Sequence, residues 1–95
     1  MTPPTKAEVE HQWGNLIRGV ITREQAHAWA KPWVEECFEQ VDPIVENALQ
    51  SLHGFDLVYT DPDRTWIAHG GPGDYVHDSA WIRESFERWQ TRWAH

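Results

Sequence analysis

The stretch Lys31–Pro43, KPWVEECFEQVDP, decides how the chain is read, because a proline beside a tryptophan interrupts an otherwise helical pattern. Ala26, Ala30, Trp33, Cys37 and Val41 recur on one stripe, with Trp29 and Phe38 beside it. Pro32 falls inside that stripe. Its ring would clash with the carbonyl of Ala28, and it has no N–H to donate. Either the helix kinks there, or it ends at Lys31 and a new one opens with Pro32 at its first position. Lys31 is a poor N-cap, which favours the kink. Trp29 and Trp33 then flank the bend and fill the space it opens.

Working outward, the pattern stays helical on both sides. Thr5 with Glu8, and Thr22 with Gln25, form capping boxes that open two helices. The first carries Val9, Trp13, Leu16, Ile17 and Val20 as its apolar stripe and ends near Gly19. Asp42-Pro43 is an N-cap followed by proline at the first helical position. Ile44, Val45, Ala48, Leu49 and Leu52 follow, and Gly54 closes that helix. Asp78 caps the last helix, whose buried stripe is Ile82, Phe86, Trp89 and Trp93, with Arg83, Arg88 and Arg92 outward. Between them, FDLVYT and TWIAH are short β-rich segments joined across DPDR, which predicts a hairpin from Phe55 to His69 packed on a helix. The expected fold is mainly α: a compact four-helix single domain over residues 6–95, with a hairpin or irregular insertion before the last helix and a frayed arm at residues 1–5.

Ninety-five residues suit one domain, and seven tryptophans supply a core that so small a chain otherwise lacks. Each tryptophan buries roughly 150–250 Å², or about 4–6 kcal/mol of gross transfer energy. A single cysteine, Cys37, excludes an internal disulfide framework. Its acidic neighbours and its place on the apolar stripe mark a structural thiol rather than a reactive one. No secretory leader or membrane span is evident, so a cytoplasmic protein is expected.

The net charge of −7 argues against nucleic acid as a partner. All of it arises between Pro32 and Asp63, where eight acidic residues stand with no Lys or Arg. A solvated helix face usually mixes signs, because like charges one turn apart destabilise it slightly. A one-sign field instead steers an oppositely charged partner. If the helix is continuous, Glu35, Glu39 and Asp42 share one face, and Glu46 extends the line.

Other constellations carry less. His69, His77 and Asp78, with Asp61, Asp63 and Asp74, contain metal-binding atoms but no two-ligand helical spacing, and read as caps and turn formers. HGGPGD lacks both the G-x-S-x-G elbow and the strand–loop–helix context of a phosphate cradle. No catalytic residue, metal or cofactor is expected, and His69 and His77 are the residues a small metal-dependent enzyme would use.

Two resemblances add to this. From Trp13 to Trp33 the chain reads WGNLIRGVITREQAHAWAKPW, which resembles a family of short uncharacterised bacterial proteins opening W-x-x-L-x-x-G-x-[ILV]-[ST]-R-E-x-[AV]-x-x-W-A. That family's L-x-G-A-D-L and closing Y-L-x-[DS]-x-x-x-[IF]-x-x-W-L segments are echoed by LHGFDL and YVHDSAWIRESF, with Phe55 departing from the usual small residue. This resemblance implies a compact, mainly helical domain and no particular activity.

GFDLVYTDP is similar to the G-[ST]-D-L-I-Y-Y-P stretch with which immunity proteins contact nuclease bacteriocins. Asp56 and Tyr59 match its aspartate and first tyrosine, and Thr60 replaces the second. The resemblance implies an acidic inhibitor of a basic toxin, with a short helix in this region. Together the charge map and this likeness predict a protein-binding surface of Glu35, Glu39, Asp42, Glu46, Asp56 and Tyr59. A symmetric homodimer burying exposed tryptophans such as Trp66 and Trp81 is the alternative.

Overall fold

In the computed structural model, which describes residues 3–36 and 41–93, the caps read from the sequence open the helices. Helix α1 (Lys6–Ile17) starts from Thr5 and α2 (Arg23–Lys31) from Thr22, each with both bonds of a capping box. Helix α3 (Pro43–Gly54) starts from Asp42, whose carboxylate accepts from the Ile44 amide at 3.0 Å. Helix α4 (Ser79–Arg92) starts from Asp78, which accepts from the Trp81 amide at 2.7 Å. The protein is mainly α, and its Cα radius of gyration of 13.4 Å matches the roughly 13 Å expected of a single compact domain of this size.

Helical winding does not stop at Pro32. It continues from α2 as a π-helical segment, Pro32–Glu36. A wider turn is one way to accommodate a residue that can neither donate to, nor pack against, the preceding carbonyls. Trp29 and Trp33 flank it with ring centroids 5.5 Å apart. Cys37, Phe38 and Glu39 lie outside the described residues. Asp42 is extended (φ −60°, ψ 138°), so α3 is a separate helix. Asp42 is therefore the cap of α3 rather than a member of the helix that carries Glu35.

Two further expectations change. Val20 is 66% exposed, because α1 ends before it. The Gly19 amide bonds to the Leu16 carbonyl and the Val20 amide to the Asn15 carbonyl, the pair of bonds that defines a Schellman stop. Gly19 sits at φ +75°, a conformation that penalises any side chain. Gly54 ends α3 without a left-handed turn, and Phe55 beyond it is right-handed (φ −74°).

The core lies where α1, α2, α3 and α4 meet. Trp13 is its hub: 1% exposed, its ring is 5.1–5.8 Å from those of Phe55, Phe86 and Trp89. Its indole N–H donates to the Ile82 carbonyl at 3.2 Å. Trp89 likewise donates to the Ile44 carbonyl at 3.0 Å. Each indole thus buries its rings while satisfying its one donor. Buried Ala26, Ala30 and Ala48 let α2 and α3 approach closely.

The hairpin forms. Strands β1 (Leu57–Tyr59) and β2 (Ile67–His69) pair antiparallel, with Leu57 opposite His69 and Tyr59 opposite Ile67. On the other edge of β1 the loop after β2 returns, with Tyr59 N–H bonding to the Asp74 carbonyl at 2.8 Å and Val76 N–H to the Leu57 carbonyl at 2.9 Å. Gly73 passes so close that a Cβ there would overlap the Tyr59 carbonyl oxygen. Arg23, the first residue of α2, holds this region to the bundle. Its guanidinium donates to the carbonyls of Phe55 and His77 and stacks 3.9 Å from the Tyr75 ring centroid. Glu24 beside it accepts from the Tyr75 hydroxyl at 2.9 Å.

Candidate functional site

Two regions of the molecule carry chemistry beyond packing. The first is the end of the hairpin. Oδ1 of Asp61 accepts from the backbone amides of Thr65 and Trp66, each at 2.9 Å. Thr60 N–H bonds back to the Trp66 carbonyl at 2.9 Å, and Arg64 N–H to the Asp61 carbonyl at 3.1 Å. Arg64 takes the left-handed conformation that closes the turn (φ +57°). These bonds, the Trp66 amide foremost, hold the Asp61 carboxyl below the usual aspartate range.

The result is a fixed turn presenting Trp66, 70% exposed, beside the exposed Ile67. Tyr59, on β1, is half-buried and lies under the Arg64 guanidinium at 5.0 Å. Arg64 is in turn 3.8 Å from the Asp74 carboxylate. A cleft of about 410 Å³ opens between this turn and the Gly70–Asp74 loop, with Tyr59, Asp61, Arg64 and Asp74 on its walls.

Of the residues expected to meet a partner, Glu35 and Asp42 are exposed and Glu46 partly so. Glu39 falls outside the described residues. Asp56 is a correction: it is 3% exposed, with its carboxylate committed inside the protein. An aspartate just before a strand looks like a surface residue in sequence; here the strand pairing turns it inward, under histidines.

That buried carboxylate is the centre of the second region. Nδ1 of His69, at the end of β2, donates to Asp56 Oδ1 at 2.6 Å. Nδ1 of His27, on α2, is 3.4 Å from the same oxygen and donates to the His53 carbonyl at 2.7 Å. His53, on the last turn of α3, donates through Nε2 to Glu35 at 2.8 Å. That bond is the main reason the Glu35 carboxyl lies below its usual range. The three rings gather with centroids 4.3, 4.4 and 4.7 Å apart. One ligand-capable atom from each lies within 4.8 Å of the others.

His77, the other histidine singled out with His69, is not in this group. Its ring stacks on Trp81 at 5.4 Å, and burial, followed by the nearby Arg23 charge, lowers its pKa. His27 and His53 were missed because the three histidines are far apart along the chain and meet only through the packing of α2 on α3 and the hairpin register. The feature that could have drawn attention to His27 is its place one residue after Ala26 on the edge of the apolar stripe of α2.

Among the described residues, fold and sites define a small helical domain with a hairpin, an exposed aromatic turn and a histidine cluster. No family model, curated protein or solved structure matches the chain.

Proposed function

We propose that the protein is a non-catalytic binding domain for a basic protein, in the manner of an immunity protein that neutralises a toxin. The observation that carries this reading is Trp66, a large aromatic side chain 70% exposed on a turn fixed by four hydrogen bonds. Tryptophan and tyrosine are the residues most often found at binding hot spots. A turn whose backbone is already fixed loses little backbone entropy on docking. Trp66 stands just beyond the one-sign segment, whose described carboxylates other than Asp56 reach the surface: Glu35, Glu36, Asp42 and Asp63 exposed, Glu46 and Asp61 partly so. Such a surface steers a cationic partner and discriminates against acidic ones.

The test is capture of partners from the source organism at low and moderate salt, with two variants. Trp66→Ala removes the anchor, and Glu35→Lys/Glu46→Lys reverses the field. A basic partner whose binding falls at least about tenfold in each variant, and which salt weakens, supports the reading and justifies a toxin-neutralisation assay. A partner bound equally well by both variants sinks it. The exposure of Trp66 and Trp81 also favours a second reading, a symmetric dimer. Light scattering that finds a concentration-dependent dimer abolished by Trp66→Ala would select it.

A further inference from the structure

We infer that His27, His53 and His69 form a binding site for one divalent first-row transition ion, zinc being the best fit. The inference rests on the hydrogen bonds of the three rings. Nδ1–H of His69 is committed to Asp56, Nδ1–H of His27 to the His53 carbonyl, and Nε2–H of His53 to Glu35. Each ring therefore has one nitrogen engaged as a donor and the opposite nitrogen left with its lone pair. Among the described residues those three nitrogens, Nε2 of His27, Nε2 of His69 and Nδ1 of His53, have no hydrogen-bond partner in the protein. A metal-ligating histidine is ordinarily arranged this way, with its second N–H held by a carboxylate or a backbone carbonyl that fixes tautomer and ring orientation.

Distance and burial agree with this. Each ring offers one nitrogen within 4.8 Å of the others, and ring centroids 4.3–4.7 Å apart allow small ring rotations to bring the lone-pair nitrogens to the roughly 3.3 Å spacing of a tetrahedral zinc with Zn–N bonds of about 2.0–2.1 Å. The His27 and His53 side chains are each 16% exposed and that of His69 40%, so an ion can enter from the His69 side without opening the core. Imidazole donors select zinc, cobalt, nickel or copper over magnesium and calcium, which take oxygen. Glu35 stays in the outer shell, holding the Nε2–H of His53, and the fourth position falls to solvent. Asp56 likewise stays in the outer shell, where its carboxylate fixes the tautomer and orientation of the His69 ring. A bound ion would join α2, α3 and β2 at one point, and so tie the hairpin that carries Trp66 to the helical bundle.

A simpler account of the cluster is three imidazoles packed around a buried carboxylate, and the experiment separates the two. Protein made without a polyhistidine tag is stripped with chelator and titrated with Co²⁺, read by visible absorption, and with Zn²⁺ in competition. The site gives one ion per chain and the intense bands of tetrahedral cobalt. His27→Ala and His69→Gln each weaken binding by at least about 100-fold, and Asp56→Asn by about 10–100-fold. His11→Ala and His77→Ala bind as wild type. Far-UV circular dichroism establishes that each variant is folded, and His69→Gln, on the exposed rim, is the one least able to disturb packing. Absence of saturable binding by the wild-type protein overturns the inference whatever the variants do. Binding that persists in a folded His27→Ala/His69→Gln double variant, or is lost equally in His77→Ala, also overturns it.

Discussion

Asp56 and His69 stand at the two sides of the hairpin's open end, and His69 Nδ1 donates to Asp56 Oδ1 across 2.6 Å. The register explains the meeting. His69 is paired with Leu57, so the residue just before Leu57 lies within reach of the imidazole. The Gly70 amide also bonds to the Asp56 carbonyl, at 3.0 Å. Asp56 therefore closes the hairpin with its backbone and anchors His69 with its side chain, with His27 Nδ1 3.4 Å away.

Removing that carboxylate leaves the part-buried Nδ1–H of His69 without its acceptor. Asp56→Ala is expected to destabilise the protein by about 1–3 kcal/mol, measured by urea unfolding with the slope unchanged. Asp56→Asn, which keeps the shape and one acceptor oxygen, should lose less. Equal stability of Asp56→Ala and wild type would mean that the histidines find replacement partners in water.

A second expectation concerns Arg23, whose guanidinium donates to the carbonyls of Phe55 and His77 and stacks on Tyr75. Lysine cannot reproduce the planar fork or the stacking. Arg23→Lys should therefore destabilise nearly as much as Arg23→Ala, by about 2 kcal/mol for loss of charge-assisted bonds. Thermal unfolding of the two variants side by side checks it. Full recovery by lysine would show that only the positive charge matters.

What the sequence revealed, and what it hid, divides along the same physical line. Thr5, Thr22, Asp42 and Asp78 were legible as caps because a cap is a contact within about one turn of chain. The hairpin was legible from the β-rich segments and the DPDR turn between them. Pro32 announced a disturbance, but a clash with one carbonyl does not say whether the helix kinks, breaks or widens into the π turn that forms. Val20 fitted the α1 stripe, and the Schellman stop that excludes it depends on Gly19 adopting positive φ one residue earlier than the stripe suggests. Of the histidine cluster only His69 was legible: each histidine belongs to a different element, and no local spacing links them. Asp56 misled because its motif points to a surface role, while its environment is set by His27 from α2 and His69 across the hairpin.

Acid should loosen the turn that presents Trp66. The Asp61 carboxyl is held below its ordinary value of 3.8 by the amides it accepts from. A carboxylate with a depressed folded-state pKa contributes stability that is present above the unfolded value and lost as pH falls through the folded one. The Thr65 and Trp66 amides should therefore lose hydrogen-exchange protection, relative to the helices, only below about pH 4. Asp61→Asn should show the weaker protection at all pH values. Protection that stays constant from pH 6 to 3 would show that the backbone alone fixes the turn.

His77 supplies a pH dependence of the same sign in a different window. Burial, then the charge of Arg23, lowers its pKa from the ordinary 6.5. The folded protein thus prefers the neutral ring. Above 6.5 neither folded nor unfolded chain is protonated there, and stability is unaffected. As pH falls from 6.5 toward the lower folded value, the unfolded chain takes up the proton first, and stability declines. His77→Phe keeps an aromatic ring to stack on Trp81, now 5.4 Å away, and removes the titration. The expected outcome is a smaller drop in melting temperature between pH 7.5 and pH 5 in His77→Phe than in wild type, with similar values at pH 7.5. Identical drops in the two proteins would assign the acid sensitivity to other groups.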